Sequence, residues 1–535
     1  MTPDLIVIGG GSAGAACAAR LAEAGKRVLL VEAGKSDADI RSKVPALMSG
    51  IVHTPEFDWM YKAEPDGSVG GRADVWPAGK RLGGGSAING MMFIRGHKWD
   101  YDHWAELGAT GWDYASVLPY FRRMEDNERG ADEWRGQGGP IAVSEVRSRY
   151  EITDEWIEAV QQAGYPRSLD LNGREAEGVD HIQLSQRRGL RHSTAAAYLK
   201  RKTAALEILL EAQVLRIETA DGRATGVTVR RGGDVNTITA REGVVLCAGA
   251  LNTPRLLMLS GIGPEKELRH HRIEVVRDLP GVGENLQEHP GVHLVNTVDA
   301  HTLNDDAKGL NGVRQVLALA ISRTGALTTG IGHAQAFVNS REGLPAPNLQ
   351  LAFSAFAFDV TDKGNLALRK ESSVSTFVAL MRPKSRGRIS LRSNDPEAPP
   401  LIEHLLLGDE DDVEQLIDGL EIARTIMAEP AIAPHVTNEV RPGADMKTRE
   451  ALGFYVRAAT IPMFHPVGTA RMGAVDDPQA VVGPDCRVRG LDRLWVADAS
   501  IMPTIPQGNT NATAIMIGER ASDLILGALR GKLAA

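Results

Sequence analysis

A two-lobed α/β fold with a βαβ unit at its N-terminus is the architecture that the sequence predicts, on three observations. The chain has 535 residues, beyond the size at which one hydrophobic core stops growing, so two domains or one elaborate two-lobed unit are expected. Its first thirty-odd residues set an apolar strand, a glycine-rich turn, a helix and a second apolar strand in the order of a βαβ half. Later runs add strands: VVLCAGA (Val244 to Ala250) reads as another buried one, and VSTFVALMRP and GRISLRS as longer strands of a sheet.

The N-terminal unit carries the most local information. Leu5 to Ile8 is the strand, GGGSAG spaces glycines at Gly9, Gly11 and Gly14, and AACAARLAEAG reads as a helix ending at Gly25. RVLLVEAG then places Glu32 at the end of the second strand. Glycines permit a tight turn and close backbone approach, the helix N-terminus faces a pyrophosphate, and an acid at that distance bonds a ribose hydroxyl. The unit therefore reads as a dinucleotide site, the alternative being a glycine-rich turn in an ordinary βαβ unit. An acid there suits the unphosphorylated ribose of NAD or of FAD alike.

Composition excludes several classes. A formal charge of −8 leaves no excess of Lys and Arg for nucleic-acid phosphates. No run of about 18 apolar residues suggests an integral membrane span. LIVIGGG follows almost directly on the first residue, which disfavours an N-terminal signal peptide. Cys17, Cys247 and Cys486 are far apart, odd in number and without CxxC spacing, which suits a reducing, cytoplasmic setting. The histidines show no metal-binding spacing such as HExxH, so no metal is expected. His270 and His271 read as a solvated helix end, and His97 and His103 as flanks of a tryptophan-rich surface turn. Asp409 to Asp412 suits a helix N-terminus facing solvent.

Two segments resemble the signatures of the glucose–methanol–choline family of FAD-dependent alcohol oxidoreductases: GKRLGGGSAINGMMFIRG (79–96) and GALNTPRLLMLSGIG (249–263). Further matching blocks run in the family's order: DWMYKAEP, RHSTAAAYL, LPGVGENLQEHP, SRGRISLRSNDPEAPPLI, IPMFHPVGTARMG and WVADASIMPTIPQGNTNATAIMIGERASDLI. The resemblance implies a Rossmann-like FAD-binding domain assembled from 1–145, 185–290 and 460–535. Beside it, 146–184 and 291–459 would form an α+β substrate domain whose antiparallel sheet covers the flavin.

By the same resemblance, the cofactor contacts are Gly9, Gly11, Ser12, Ala13, Gly14, Glu32, Ala33, Trp59, Ser86, Asn89, Gly90, Met91, Met92, Val214, Phe464, Asp498, Ala499 and Thr510. Ser86, Asn89, Gly90, Met91 and Met92 lie along the flavin and its phosphate arm, Val214 matches the position whose backbone reads adenine, and Asp498 and Ala499 lie beside the ribityl and phosphate arm. Some family members attach FAD through a histidine where this chain has Ile88, which implies non-covalent FAD. Asn511 to Leu526 reads as a helix with Thr510 or Asn511 as N-cap. Pointed at the flavin, its N-terminus would stabilise negative charge developing near N1 and the C2 carbonyl.

His465 alone could be a packed loop histidine. Within HPVGTARMG, and with Asn509 forty-four residues later, it resembles the family's base. The base takes the hydroxyl proton of an alcohol while hydride passes to flavin N5. Asn509 cannot take a proton at neutral pH, but its amide can donate to an alkoxide-like oxygen. Rival readings are a hydroxynitrile lyase on the same scaffold and a noncatalytic flavin protein. For substrate, Phe464 and the run LQLAFSAFAFDV suggest an apolar pocket for a primary alcohol, benzylic or furanic, unless Phe353, Phe356 and Phe358 are core residues. A choline-type dehydrogenase is the alternative if Glu371 or Asp359 enters the pocket. The electron acceptor is oxygen or a quinone-like carrier, with a lean towards oxygen.

Overall fold

A computed structural model describes residues 2–200, 203–360 and 366–533. Five parallel strands form the first sheet, in the order Leu206–Leu209, Val28–Val31, Leu5–Ile8, Gly243–Leu246, Leu494–Val496. Leu5 stands opposite Val28 on one side and Gly243 on the other. The three middle strands are buried along their whole length, as expected of strands covered on both faces.

Helix Ser12–Glu23 follows the first strand, and its alanine-rich surface lets the C-terminal helix Asn511–Leu533 pack closely against it. At Gly518 a Cβ would sit 2.2 Å from the Ala13 carbonyl oxygen. The contact is locked by the buried Glu519 carboxylate, which accepts from Arg20 Nη2 (2.9 Å), Arg123 Nε (2.6 Å) and Tyr198 Oη (2.7 Å). The helix N-termini thus come together, and Ser12 Oγ donates to Asn511 Oδ1 at 2.6 Å.

The second sheet is antiparallel, in the order Val436–Arg441, Pro290–Val298, Ser373–Leu380, Leu349–Ser354, Ala334–Val338, Gly178–His181. Strand alternation gives it two unlike faces. Val292, Leu294, Leu349, Leu351, Phe353 and Val378 pack in one core with helices Glu151–Gln162 and Glu410–Met427. Phe377 lies on the other face, against Met91 and Met92 on one side and Ile94 and Met463 on the other. A two-residue strand, Ile461–Pro462, pairs with Gly291 and Pro290 at the sheet's end. That pairing sets Met463 beside His289, whose carbonyl accepts the Met463 amide, and leads on to His465.

Several local expectations change. GRISLRS supplies only Arg388–Ser390, paired with Leu401–Glu403 in a separate ribbon, because the chain turns away at both ends of that short pairing. His97 and His103 do not flank a turn. His97 closes a capping box on helix Lys98–Glu106, and His103 stacks on Trp99 one turn away in the same helix. In the acidic run Asp409 caps its helix as expected, but Asp412 is buried, where it accepts from the Lys384 and Ser385 amides. The C-terminal helix continues past Leu526 to Leu533, since nothing in GALRGKL stops it. No helix among the described residues is long and apolar enough to cross a membrane.

Candidate active site

The glycine turn is built for close approach. Gly9 has φ +96°, and a Cβ on Gly14 would lie 1.9 Å from the Gly9 carbonyl oxygen, so only glycine lets helix and strand meet there. Gly84, in the second glycine cluster, comes so near that its Cβ would stand 2.7 Å from Gly11 Cα. The buried Glu32 carboxylate accepts from the Gly10 and Gly34 amides, each at 2.8 Å, one on each oxygen. Burial raises its pKa against the opposing pull of those amides. Each oxygen keeps acceptor capacity for a ribose hydroxyl. Glycine cradle and paired acid fit FAD.

The loop after Gly84 is tied to the same turn. Ser86 Oγ donates to the Gly83 carbonyl (2.6 Å) and accepts from the Thr194 amide (3.0 Å), while Thr194 Oγ1 bonds the Gly11 carbonyl at 3.4 Å. Asn89 Oδ1 accepts from Met91 N–H and from Arg191, whose guanidinium also holds the Ser86 and Ser42 carbonyls. Met91 sits at φ +64°, a left-handed conformation unusual for a side chain of that size. A Cβ at Gly90 would strike Ile331. Burial lowers the Arg191 pKa to about 9. Ser86 and Asn89 thus spend their side chains on shaping the loop.

The remaining assigned positions fall in four places. Asp498 is buried, with its carboxylate taken by Gly249 N–H, Thr253 Oγ1 and Ser500 N–H, so it shapes the turn through Ala499. Val214 lies two residues beyond Ala212, whose amide bonds the Glu32 carbonyl next to Ala33. Trp59 stacks on Tyr61 under Lys80, away from both the glycine turn and His465 in the contacts that it makes. Ala13 and Thr510 are buried at the paired helix N-termini.

His465 and Asn509 do meet: His465 Nε2 lies 3.2 Å from Asn509 Nδ2, and Asn509 Oδ1 is buried without a partner among the described residues. Phe464, immediately before, is held at φ +65°, strain of the kind that collects at functional sites. Behind His465 stands His289, which carries no role in the sequence reading. His289 Nδ1 is 3.0 Å from His465 Nδ1, and His289 Nε2 is 3.2 Å from the Met381 carbonyl oxygen.

The pair has one consistent proton arrangement. A carbonyl only accepts, so His289 carries its hydrogen on Nε2. Burial drives the His289 pKa well down, leaving Nδ1 a bare acceptor. His465 must then donate from Nδ1, and its Nε2 lone pair faces Asn509 and the site. Burial also lowers the His465 pKa, to about 3, so the imidazole is neutral, with its Nε2 lone pair unprotonated. The buried Glu288 carboxyl accepts the His465 amide (2.7 Å) and the His289 amide (2.9 Å), and burial pushes it up to about 8, protonated at neutral pH.

Replacing His289 with leucine removes the acceptor that selects the Nε2 base. Flavin reduction should fall on the order of ten- to a hundredfold with flavin content unchanged, and His289→Asn, which can still accept, should recover part of it. Equal rates in His289→Leu and the native protein would show that His289 does not position the base. Both histidines stand in quoted motifs, LQEHP and MFHPVG, so the signal was present. The contact between them was not, because the residues are 176 positions apart.

Residues 3–291 match the model of the GMC oxidoreductase N-terminal region and residues 383–518 that of the C-terminal region. The chain is 39% identical over 530 residues to an oxygen-dependent choline dehydrogenase of Brucella canis, covering 98% of this chain and 96% of the relative. Among solved structures, pyridoxine 4-oxidase from Mesorbium loti superposes with a TM-score of 0.87 at 28% identity, covering 98% and 99% of the two chains. A formate oxidase variant of Aspergillus oryzae does so with a TM-score of 0.90 at 27% identity, covering 99% of each. The chain belongs to the GMC oxidoreductase family, FAD-using enzymes that act on CH–OH groups.

Proposed function

We propose that the protein oxidises an uncharged primary alcohol to an aldehyde, with His465 as the base and Asn509 as donor to the substrate oxygen. The observation that carries this reading is a neutral His465 whose Nε2 lone pair is held 3.2 Å from the Asn509 amide nitrogen, with Asn509 Oδ1 buried and without a partner among the described residues. Bound FAD supplies the hydride acceptor. The chain orients the hydroxyl between Nε2 and the Asn509 amide, takes its proton on Nε2, and delocalises the resulting charge through Nδ1–H to His289. Gly9, Gly11, Ser12, Ala13, Gly14, Glu32, Ala33, Trp59, Ser86, Asn89, Gly90, Met91, Met92, Val214, Phe464, Asp498, Ala499 and Thr510 would hold the cofactor. FAD-binding segments 1–145, 185–290 and 460–535 would stand against substrate segments 146–184 and 291–459.

The choice of an uncharged substrate rests on the sheet face that looks towards Met91 and Met463. Phe377, Ser375, Gln350 and His293 stand there, and burial holds His293 neutral with a pKa of about 4. The two acids that would favour a cation are engaged elsewhere: Asp359 pairs with Arg369 and Arg441, and Glu371 with Arg369. Phe353 belongs to the opposite face, stacked on Trp156, and leaves the pocket to Phe377 and Phe464. Choline is the second reading, favoured by the name of the Brucella canis relative. A substrate panel decides between them: benzyl alcohol should turn over faster than choline, and the reverse would refute the uncharged-substrate reading. Running the panel with peroxide detection and with a dye identifies the acceptor, oxygen or a quinone-like carrier. Dye reduction without peroxide would exclude oxygen.

Ile88 is buried against Ile51 and Phe57 and offers no nucleophile, which supports non-covalent FAD. Denaturation should release all flavin colour into the supernatant. Colour retained by the precipitated chain would contradict this. A cytoplasmic location is consistent with three buried, unpaired cysteines.

A further inference from the structure

On the surface next to the Gly189 turn, helix Gly309–Ile321 has no buried residue, and one apolar stripe of it points outward. Leu310 and Ile321 are 80% and 82% exposed, with Val313, Val316 and Leu317 more than half exposed between them. The opposite side of the helix is the packed one. Gln315 Oε1 accepts the Ala326 amide, and Gln315 and Ala318 crowd Gly325. An outward stripe of that kind on a protein surface marks an interaction site.

Directly after the helix, Arg323 joins the wall of a cavity of about 330 Å³. Lys43, Arg187, Arg188, Arg191 and Lys200 line the same cavity, against one carboxylate, Asp37. Arg187 is paired with Asp126, but Arg191 Nη2 is buried without a hydrogen-bond partner among the described residues. Six cations around one hollow are a local concentration in a chain whose formal charge is −8. The chemistry they select is a phosphate-sized anion.

We propose that this face docks on an anionic phospholipid bilayer. The outer side of Gly309–Ile321 enters the interface, with Arg314 snorkelling at its edge, and the cationic cavity takes a headgroup phosphate. A second copy of the chain is the less suitable occupant, because a symmetric contact would bring these cations towards their own duplicates. The proposal does not depend on the identity of the alcohol.

The test is sedimentation of the full flavin-loaded chain with vesicles of phosphatidylcholine alone, or of phosphatidylcholine containing about one-third phosphatidylglycerol. Binding is expected to the anionic vesicles and to weaken with added salt. Leu310→Glu/Leu317→Glu and, separately, Arg188→Glu/Arg323→Glu should each lower the bound fraction at least about tenfold, with flavin content and turnover in solution unchanged. The arginine pair lies on exposed loop positions, so it keeps the test decisive if the helix variant does not fold. No sedimentation with anionic vesicles, or equal sedimentation with neutral ones, overturns the proposal. So does tight binding of inorganic phosphate by a chain that ignores vesicles, or light scattering in which Leu310→Glu/Leu317→Glu only splits a dimer.

Discussion

His465→Ala should lower the rate of flavin reduction by on the order of a hundredfold or more, with FAD retained. The imidazole Nε2 is the group placed to take the hydroxyl proton, and the neighbouring Asn509 amide cannot replace it as a base. Retention of FAD follows because the glycine turn, Glu32 and the Ser86–Asn89 loop are held by bonds that do not involve His465. The pH dependence carries the same signature. With its pKa lowered to about 3, His465 is already the free base at any pH above about 5, so kcat/KM should show no ionisation limb near the ordinary histidine value. Activity should fall only as the pH drops towards 3. An unchanged rate in the alanine variant would remove His465 from the chemistry, and loss of FAD would make it a structural residue.

Gly14→Val should abolish FAD binding and destabilise the fold. The first added carbon would lie 1.9 Å from the Gly9 carbonyl oxygen and 3.0 Å from Cys247 Cβ, and neither the turn nor the strand behind it has room to give. Overpacking of this kind costs about 1–3 kcal/mol or more, and relief requires the turn to leave the shape that admits a pyrophosphate. The flavin-to-protein ratio should fall close to zero and the melting temperature should drop. Gly527 supplies the contrast. It lies in the C-terminal helix with open space at its Cβ, so Gly527→Ala should be neutral or stabilise by about 0.5–1 kcal/mol. A flavin-replete Gly14→Val protein would refute the close-packed turn as the cofactor cradle.

These two positions differ in how far the sequence exposes them. The glycine turn is legible because its partners are near in sequence: Glu32 bonds Gly10 across twenty-two residues, and the strand–turn–helix order limits where the acid can fall. His465 and Asn509 are legible through motif resemblance alone. The residue that selects the His465 tautomer is not, since its second bond, from His289 to the Met381 carbonyl, depends on how two sheet strands end side by side. Phe353 shows a related limit. Alternation along a strand predicts two faces but not which one looks towards the site, and Phe353 takes the outer one. The outward stripe on Gly309–Ile321 is a property of the surrounding fold, which leaves that side of the helix uncovered. Length misleads too, because GRISLRS has strand composition yet forms a strand of only three residues, with Gly387 in an isolated bridge to Leu286.

Anaerobic mixing of the flavin-loaded protein with a primary alcohol, followed at the oxidised-flavin absorbance, tests most directly whether the His465–Asn509 site oxidises an alcohol. The geometry predicts bleaching in a single exponential phase whose rate rises to a plateau with benzyl alcohol. Absorbance that stays constant with every primary alcohol, while the same protein cleaves a cyanohydrin, would contradict it.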